Sequence, residues 1–359
     1  MTLKYRAQNI LIKAPNWVGD AVMATPAFRC MRHSYPDARI SVLLRPYVRD
    51  ILSHSPWFDE VIEYEPAATG GPSGWQAGAS AFLSTVHRLR RRNIDLALLL
   101  THSFRSALLA RLAGARYRVA NSRGDQSWLL TDSLPWPREN GRRVPLPKVT
   151  AYLRLCRHLG CPEADNTQLQ LHYSTEEQRK ALRLIRESGG DPQRPMFAIV
   201  PGAAFGASKF WSTEKFAAVA DAIATRRGWQ PALLCGPGEQ PLAEQIKQHM
   251  KVPSVQPNPE DFGLDVLKPF VARCRLMVAT DTGPRHVAEA FHVPTVVIMG
   301  PTDPRHTETN YAARRVIRVD VPCGPCHLRT CPTDHRCMKR VTPQMVIDAA
   351  EGLLEEGAS

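Results

Sequence analysis

The segment Asn16-Trp17-Val18-Gly19-Asp20 sets a carboxylate directly after a glycine, in a turn behind the apolar run Asn9–Lys13. An aspartate there can cap the helix that follows. Shielded from water and within reach of a hydroxyl, it can instead act as a general base. A second segment, Pro201-Gly-Ala-Ala-Phe-Gly-Ala-Ser-Lys-Phe-Trp211, follows another apolar run. Its small residues leave backbone N–H groups open to phosphate oxygens, and Lys209 adds a full positive charge. The GK[ST] spacing of a Walker loop is absent. In Thr280-Asp-Thr-Gly-Pro-Arg-His286, Gly283 and Pro284 suit the start of a helix, whose N-terminus attracts anions. Thr282 can cap that helix, and His286 falls in its first turn. The fourth segment, Gly300-Pro-Thr-Asp-Pro-Arg-His306, reads first as a tight turn bordering the third and second as a binding element. Two anion-ready loops in one half and a carboxylate in the other suit a transferase: one domain holds a diphosphate donor, the other presents an acceptor to a base. A dehydrogenase is disfavoured because no GxGxxG opens either half; Gly236-Pro237-Gly238 is a fragment interrupted by proline.

Each segment lies between an apolar run and an amphipathic one. In the first half, strands are expected at Asn9–Lys13, Ile40–Leu44, Val61-Ile62 and Asp95–Leu100, with helices near 21–34, 47–53, 79–92 and 149–159. Residues 69–78 read as a mobile Gly/Pro-rich loop, and residues 121–149, with several prolines, as an irregular excursion. A short strand at Leu169–Leu171 precedes a helix capped by Ser174, with Glu176 and Glu177 near its positive end. The second half repeats the alternation, with strands near 196–200, 231–235, 254–255, 276–279 and 295–299 separated by helices. Such alternation, twice over, predicts two doubly wound α/β domains with ligands at the carboxyl ends of the strands. The expected division is 1–172, 173–342 and a final helix, 343–359, that packs back on the first domain.

The chain has 359 residues, 43% hydrophobic and 22% charged, which excludes a disordered, collagen-like or disulfide-scaffold protein. Its net charge of +12 is lopsided: residues 1–172 hold 23 Lys and Arg against 13 Asp and Glu, net +10, and the remainder 23 against 21, net +2. The runs His87–Arg92 and Arg138–Lys148 make Arg88, Arg142 and Arg143 candidate contacts for an anionic partner, or else a solvated face. Residues 1–9 lack the apolar core of a signal peptide, and no apolar run is long enough to span a bilayer, so a cytoplasmic protein with reduced cysteines is expected. Five of the nine cysteines lie in apolar segments and read as core. The other four, Cys323, Cys326, Cys331 and Cys337, have enough ligands, with His327 and His335 nearby, for a structural zinc or iron, or else form a reduced loop or a disulfide.

Taken in order, APNWVGDAVMATPAF, PGAAFGASKFWSTEKFA, TDTGPRHVAEAF and GPTDPRHT resemble the ADP-heptose:lipopolysaccharide heptosyltransferases, a family of GT-B glycosyltransferases. The likeness covers nearly the whole chain, and the WVGD form with the C-terminal CGPCHLRTCPTDHRCMKRVTP resembles the heptosyltransferase II branch. The resemblance implies two Rossmann-like domains facing across a cleft. It implies inverting transfer of L-glycero-D-manno-heptose from ADP-heptose to heptosyl-Kdo-lipid A, with no cofactor required for catalysis. The enzyme would work at the cytoplasmic face of the inner membrane, as a peripheral protein that binds the anionic lipopolysaccharide core precursor and no nucleic acid. Asp20 takes the place of the general base. Lys209 matches the lysine on the donor diphosphate, and Asp281, Thr282, Gly283 and His286 the segment that holds diphosphate and heptose. Glu239 matches a ribose-binding glutamate, and Gly202 and Ser208 belong to the donor loop. Related heptosyltransferases that modify proteins resemble this in binding iron through cysteines, which sets a structural metal at the cysteine cluster level with its alternatives. Two alternatives are a sister GT-B enzyme with another nucleotide sugar or acceptor, such as a heptosyltransferase I type, and a basic nucleic-acid-binding protein, which would show salt-sensitive binding.

Overall fold

The computed structural model describes residues 2–65, 71–122 and 124–357, and resolves two compact units. The first comprises Met1–Leu169 with Arg305–Thr309, the second Gln170–Pro304 with Asn310–Ser359.

The first unit is built on six parallel strands: β1 (Asn9–Lys13), β2 (Arg39–Leu44), β3 (Glu60–Glu63), β4 (Leu96–Leu99), β5 (Tyr117–Ser122) and β6 (Asp132–Pro135). Their order is β3-β2-β1-β4-β5-β6, the doubly wound arrangement with its switch point beside the first strand. Leu96–Leu99 is buried throughout and β1 nearly so, as a parallel sheet covered on both faces requires. The helices are α1 (Val18–Met23), α2 (Thr25–Ser34), α3 (Pro46–Arg49), α4 (Gly71–Arg90), α5 (Phe104–Leu112) and α6 (Lys148–His158). Leu11, Leu43, Ala97 and Leu99 pack against Val86 and Leu89 of α4 and Ala107 and Ala110 of α5.

Several details differ from the sequence expectation. Residues 71–78 open helix α4 rather than a loop, and positions 69–70 lie outside the described residues. The stretch 121–149 is partly ordered as sheet: β6 extends the parallel sheet, and an antiparallel ribbon of β7 (Arg138–Glu139) and β8 (Arg142–Arg143) follows. Pro135 closes β6, the edge strand of the sheet, where a missing N–H costs no ladder bond. Leu169–Leu171 is not a strand.

The second unit has five parallel strands in the order β10-β9-β11-β12-β13. They are β9 (Met196–Val200), β10 (Gln230–Leu233), β11 (Cys274–Thr280), β12 (Thr295–Ile298) and β13 (Arg314–Ile317). Val255 contributes a single bridge to Ala232 rather than a strand. The helices are α7 (Thr175–Glu187), α8 (Thr213–Arg227), α9 (Gln240–His249), α10 (Leu264–Ala272), α11 (Gly283–Ala290), α12 (Arg336–Lys339) and α13 (Pro343–Glu356). The apolar face of α13, Val346, Ile347, Ala350 and Leu353, is buried in this unit's own core with Phe216, Ile223 and Val296. The final helix was expected to return to the first domain; its apolar stripe is spent here.

Helix α7 starts as expected and with a full capping box. Ser174 Oγ accepts from Glu177 N (3.1 Å) and Glu177 Oε2 accepts from Ser174 N (2.8 Å). Glu177 also lies 3.4 Å from the ammonium of the fully buried Lys268 on α10. Ser174→Ala is expected to lower unfolding free energy by about 1 kcal/mol in urea titration. No change would mean that Glu177 alone secures the helix start.

Candidate active site

In the second unit, β9, β11 and β12 are adjacent, so the loops at their carboxyl ends converge. These are the Pro201–Trp211 loop, the Asp281-Thr282 turn into α11, and the Gly300–Asp303 turn. Asp281 is their meeting point. Its Oδ2 accepts from Lys209 Nζ at 2.6 Å and Thr302 Oγ1 at 2.7 Å, and its Oδ1 from Arg285 Nε at 3.2 Å. Lys209 Nζ also donates to the Asp281 carbonyl at 2.7 Å, and lies 4.9 Å from the centre of the Phe205 ring. Burial alone would raise the Asp281 carboxyl. The Arg285 and Lys209 charges, with the hydrogen bonds from Lys209 and Thr302, outweigh it and hold the group well below the usual carboxylate range.

Arg285 is 0% exposed and bridges two carboxylates, reaching Glu289 Oε1 at 3.0 Å through Nη1. Arg314 Nη1 lies 3.4 Å from the same Glu289 oxygen. Burial pushes Glu289 up, but His286, whose Nδ1 lies 3.7 Å from its Oε2, together with Arg285 and Arg314 brings it down to about 2. His286 is itself buried, and burial first, then the Arg285 charge, lower its pKa against the opposing pull of Glu289 and Asp281. Thr282 is the N-cap of α11 in extended conformation and makes no side-chain cap bond, so the expected capping role is not used.

Gly202 has a specific reason to lack a side chain: a Cβ there would overlap the Glu239 carboxylate. Glu239 Oε2 accepts from Gly236 N at 2.8 Å, and Thr280 Oγ1 donates to the Gly202 carbonyl at 2.6 Å. Glu239 thus stands over the loop that follows β9. Ser208 is placed differently from a ligand contact. It is buried, its hydroxyl donates to Leu328 O (2.5 Å), and its N–H donates to Arg329 O (3.0 Å). Gly206, at φ +151°, lies against the Arg329 backbone where any Cβ would collide. Ser208 and Gly206 fasten the loop that carries Lys209.

In the first unit, Asp20 lies in the first turn of α1, beyond the N-cap Trp17, so it is not the cap. It is partly exposed, and Lys148 Nζ, at the start of α6, lies 3.7 Å from its Oδ2. Of the three arginines proposed for an anionic partner, Arg88 lies at the end of α4 with Nη1 3.4 Å from Glu63 O, while Arg142 and Arg143 form the exposed strand β8. Sequence reasoning missed Arg285, Glu289, Thr302 and Lys148. The first two carry a signal: Asp281, Arg285 and Glu289 stand four residues apart, the spacing of one helix face.

Among the described residues, no three His, Cys, Asp or Glu side chains gather in a way that could hold an ion. Cys337 is buried on α12, where its sulfur fills the space a side chain at Gly300 would need. Cys323 is exposed, and Cys331 lies 3.5 Å from the Thr333 hydroxyl. The segment braces the Pro201–Trp211 loop: besides the contacts to Ser208 N and Oγ, His335 Nε2 lies 2.6 Å from Ser208 O. Cys30, Cys156, Cys161 and Cys274 are buried as expected, and Cys235 partly so.

Breaking a sugar–diphosphate bond needs positive charge on the leaving side and a base on the entering side. Two doubly wound units with parallel sheets are the architecture of the GT-B glycosyltransferases. Residues 82–336 match glycosyltransferase family 9 (heptosyltransferase), and the chain belongs to that family. It is 28% identical to lipopolysaccharide heptosyltransferase 2 of Salmonella typhimurium, over 97% of this chain and 99% of that one. It is 26% identical to lipooligosaccharide heptosyltransferase 2 of Haemophilus influenzae, over 96% and 99%. The solved structure of Escherichia coli ADP-heptose lipopolysaccharide heptosyltransferase II superposes with a TM-score of 0.78 at 26% identity, covering 98% of this chain and 100% of that one. The protein is a heptosyltransferase.

Asp281 and Glu289 titrate below their ordinary values of 3.8 and 4.5, so their contribution to stability is complete above about pH 4.5 and is lost as pH falls toward 2. Arg285→Met leaves both carboxylates under-compensated and is expected to cost about 3–5 kcal/mol at pH 7. The cost should shrink in acid, where protonated carboxyls no longer need the guanidinium. Urea unfolding at pH 7 and pH 3 checks this, and an equal cost at both would contradict it.

Proposed function

We propose that this chain transfers L-glycero-D-manno-heptose from ADP-heptose, with inversion, to heptosyl-Kdo-lipid A in the assembly of the lipopolysaccharide inner core. The observation that carries the reading is the placement of Lys209. Its ammonium is held at the carboxyl end of the second unit's sheet by Asp281, one residue before the N-cap of α11. A cation and a helix N-terminus together suit a diphosphate. The names of the relatives in Salmonella and Haemophilus support the same donor sugar and acceptor class.

Asp20 carboxylate takes the proton of the acceptor hydroxyl as its oxygen bonds to the anomeric carbon. The bond from that carbon to the β-phosphate oxygen breaks, and ADP leaves with the electron pair. Lys209 and the N-terminal amides of α11 stabilise the charge that grows on the diphosphate, the kind of preorganised interaction that usually supplies the largest share of catalysis. Asp281, Thr282, Gly283 and His286 line the donor side, and Glu239 above Gly202 takes the ribose. Arg285 and Thr302 hold Asp281 and, through it, Lys209. Among the described residues, no helix is long and apolar enough to cross a membrane. The positive excess of the first unit supports peripheral contact with an anionic leaflet.

Asp20→Asn is expected to lower kcat by about 10²–10⁴-fold while leaving ADP-heptose binding intact. Lys209→Ala is expected to lower turnover by about 10²–10³-fold, with weaker retention of ADP. Steady-state kinetics with ADP-heptose and a panel of truncated core acceptors, with product mass as readout, tests both. Normal turnover by Asp20→Asn would remove Asp20 as the base. A product mass not increased by a heptose would overturn the donor assignment.

A further inference from the structure

Around Asp20 the first unit gathers more positive charge than its own carboxylates satisfy. Lys13, the last residue of β1, is buried, and its ammonium donates only to neutral oxygens, Ala14 O at 2.7 Å and Asn16 Oδ1 at 3.2 Å. Burial first, and the Arg45 charge second, lower its pKa to about 8. Arg45 follows β2, the neighbour of β1, and its Nε is buried without a hydrogen-bond partner. Lys148 is 3.7 Å from Asp20. Among the described residues, neither Lys13 nor Arg45 has a carboxylate at ion-pair distance. Glu65 acts on the nearby Tyr47 hydroxyl, as Asp20 and Arg45 do, but pairs with neither cation.

A buried, unpartnered guanidinium N–H is costly, and like charges held together raise the cost. Both costs are relieved if an anion enters. Two exposed rings frame the place. Trp17, 52% exposed, immediately precedes α1, and Tyr47, 44% exposed, hydrogen-bonds through its hydroxyl to the Asn16 carbonyl. Exposed aromatic faces beside cations and a carboxylate suit a sugar ring that carries an acid group: the rings take its apolar C–H face and the cations its charge.

We propose that Arg45 and Lys148, backed by the buried charge of Lys13 and framed by Trp17 and Tyr47, form the subsite for an acidic group of the acceptor saccharide, a sugar carboxylate or a phosphate ester. The inference rests on the reading of Asp20 as the base, since it sets the acid group beside the hydroxyl that Asp20 deprotonates. The subsite differs from Arg88, Arg142 and Arg143 in being partly enclosed and in lying on the loops after β1 and β2 and at the start of α6.

The test compares the full chain with its Arg45→Gln and Lys148→Met variants at saturating ADP-heptose. Acceptor KM is expected to rise roughly tenfold or more in each, with ADP-heptose KM unchanged and with Arg45→Lys and Lys148→Arg recovering most of the loss. Two chemically altered acceptors separate the sources: one with its Kdo carboxylates as methyl esters, one with its phosphates removed. The wild-type protein should lose affinity for one of them, and the Gln and Met variants should no longer distinguish it from the native acceptor. Unchanged acceptor KM in both variants, or equal use of all three acceptors by the wild type, would overturn the subsite. The altered acceptors decide the matter with wild-type protein should a variant not fold. Asp20→Asn keeps the two readings apart: full turnover there removes the base, while charge-dependent acceptor KM in the Arg45 and Lys148 variants would still stand.

Discussion

The structure turns on one buried carboxylate. Asp281 must be ionised to hold Lys209, and it sits where burial opposes ionisation. A lone lysine is a poor solution, because an ammonium fully satisfied by its own protein has little left for a substrate. The second unit answers with a second cation. Arg285 takes one oxygen of Asp281 while Lys209 and Thr302 share the other. Arg285 is in turn balanced by Glu289, and Glu289 by Arg314. The chain of alternating charges runs from the loop after β9 to strand β13. It leaves Lys209 as the member that lies nearest solvent among charges otherwise committed to one another, with 10% of its side chain still exposed.

Such a network is a weak source of net stability, because desolvating each charge offsets much of the attraction. What it supplies is geometry. Every partner of Asp281 comes from a different loop or from the helix behind it, so the carboxylate registers three chain segments against one another. The C-terminal segment adds a second registration: the 328–335 stretch holds both faces of the Ser208 peptide and its hydroxyl. Preorganisation of this kind is what metal-independent charge stabilisation asks of a protein, since groups already in place cost no reorganisation as the leaving charge develops.

Much of this was legible in the amino-acid sequence, and the rest was hidden for identifiable reasons. Strands such as Leu96–Leu99 and Met196–Val200 are continuous apolar runs because both sheet faces are covered, and the Ser174–Glu177 box announces its helix. Tyr117–Ser122 escaped notice because arginine and asparagine interrupt it, and Asp132–Pro135 because an edge strand tolerates the aspartate and proline that usually mark a turn. Phe104–Leu112 shows no clean apolar stripe, since small residues such as Ala107 and Ala110 make its buried face. At the site, the loops were readable from composition but the partners were not. Ser208 has the type of a phosphate ligand and is spent on a neighbouring loop. The four cysteines have a ligand-like spacing, but the spacing cannot reveal that Cys337 faces Gly300 from a helix while Cys323 stays at the surface.

Arg285 marks the boundary between what spacing can and cannot reveal. The i, i+4 ladder of Asp281, Arg285 and Glu289 is visible in the sequence, but on an exposed helix such a ladder contributes only about 0.2–0.5 kcal/mol per pair. The same three residues, buried at the carboxyl end of a parallel sheet, become the constraint that fixes Lys209. Burial, not residue type, changes the meaning of the pattern. The first unit makes the same point with opposite sign: a lysine that donates only to neutral oxygens, as Lys13 does, and an arginine Nε without a partner, as in Arg45, would mean little on a solvated face and gain their meaning from burial.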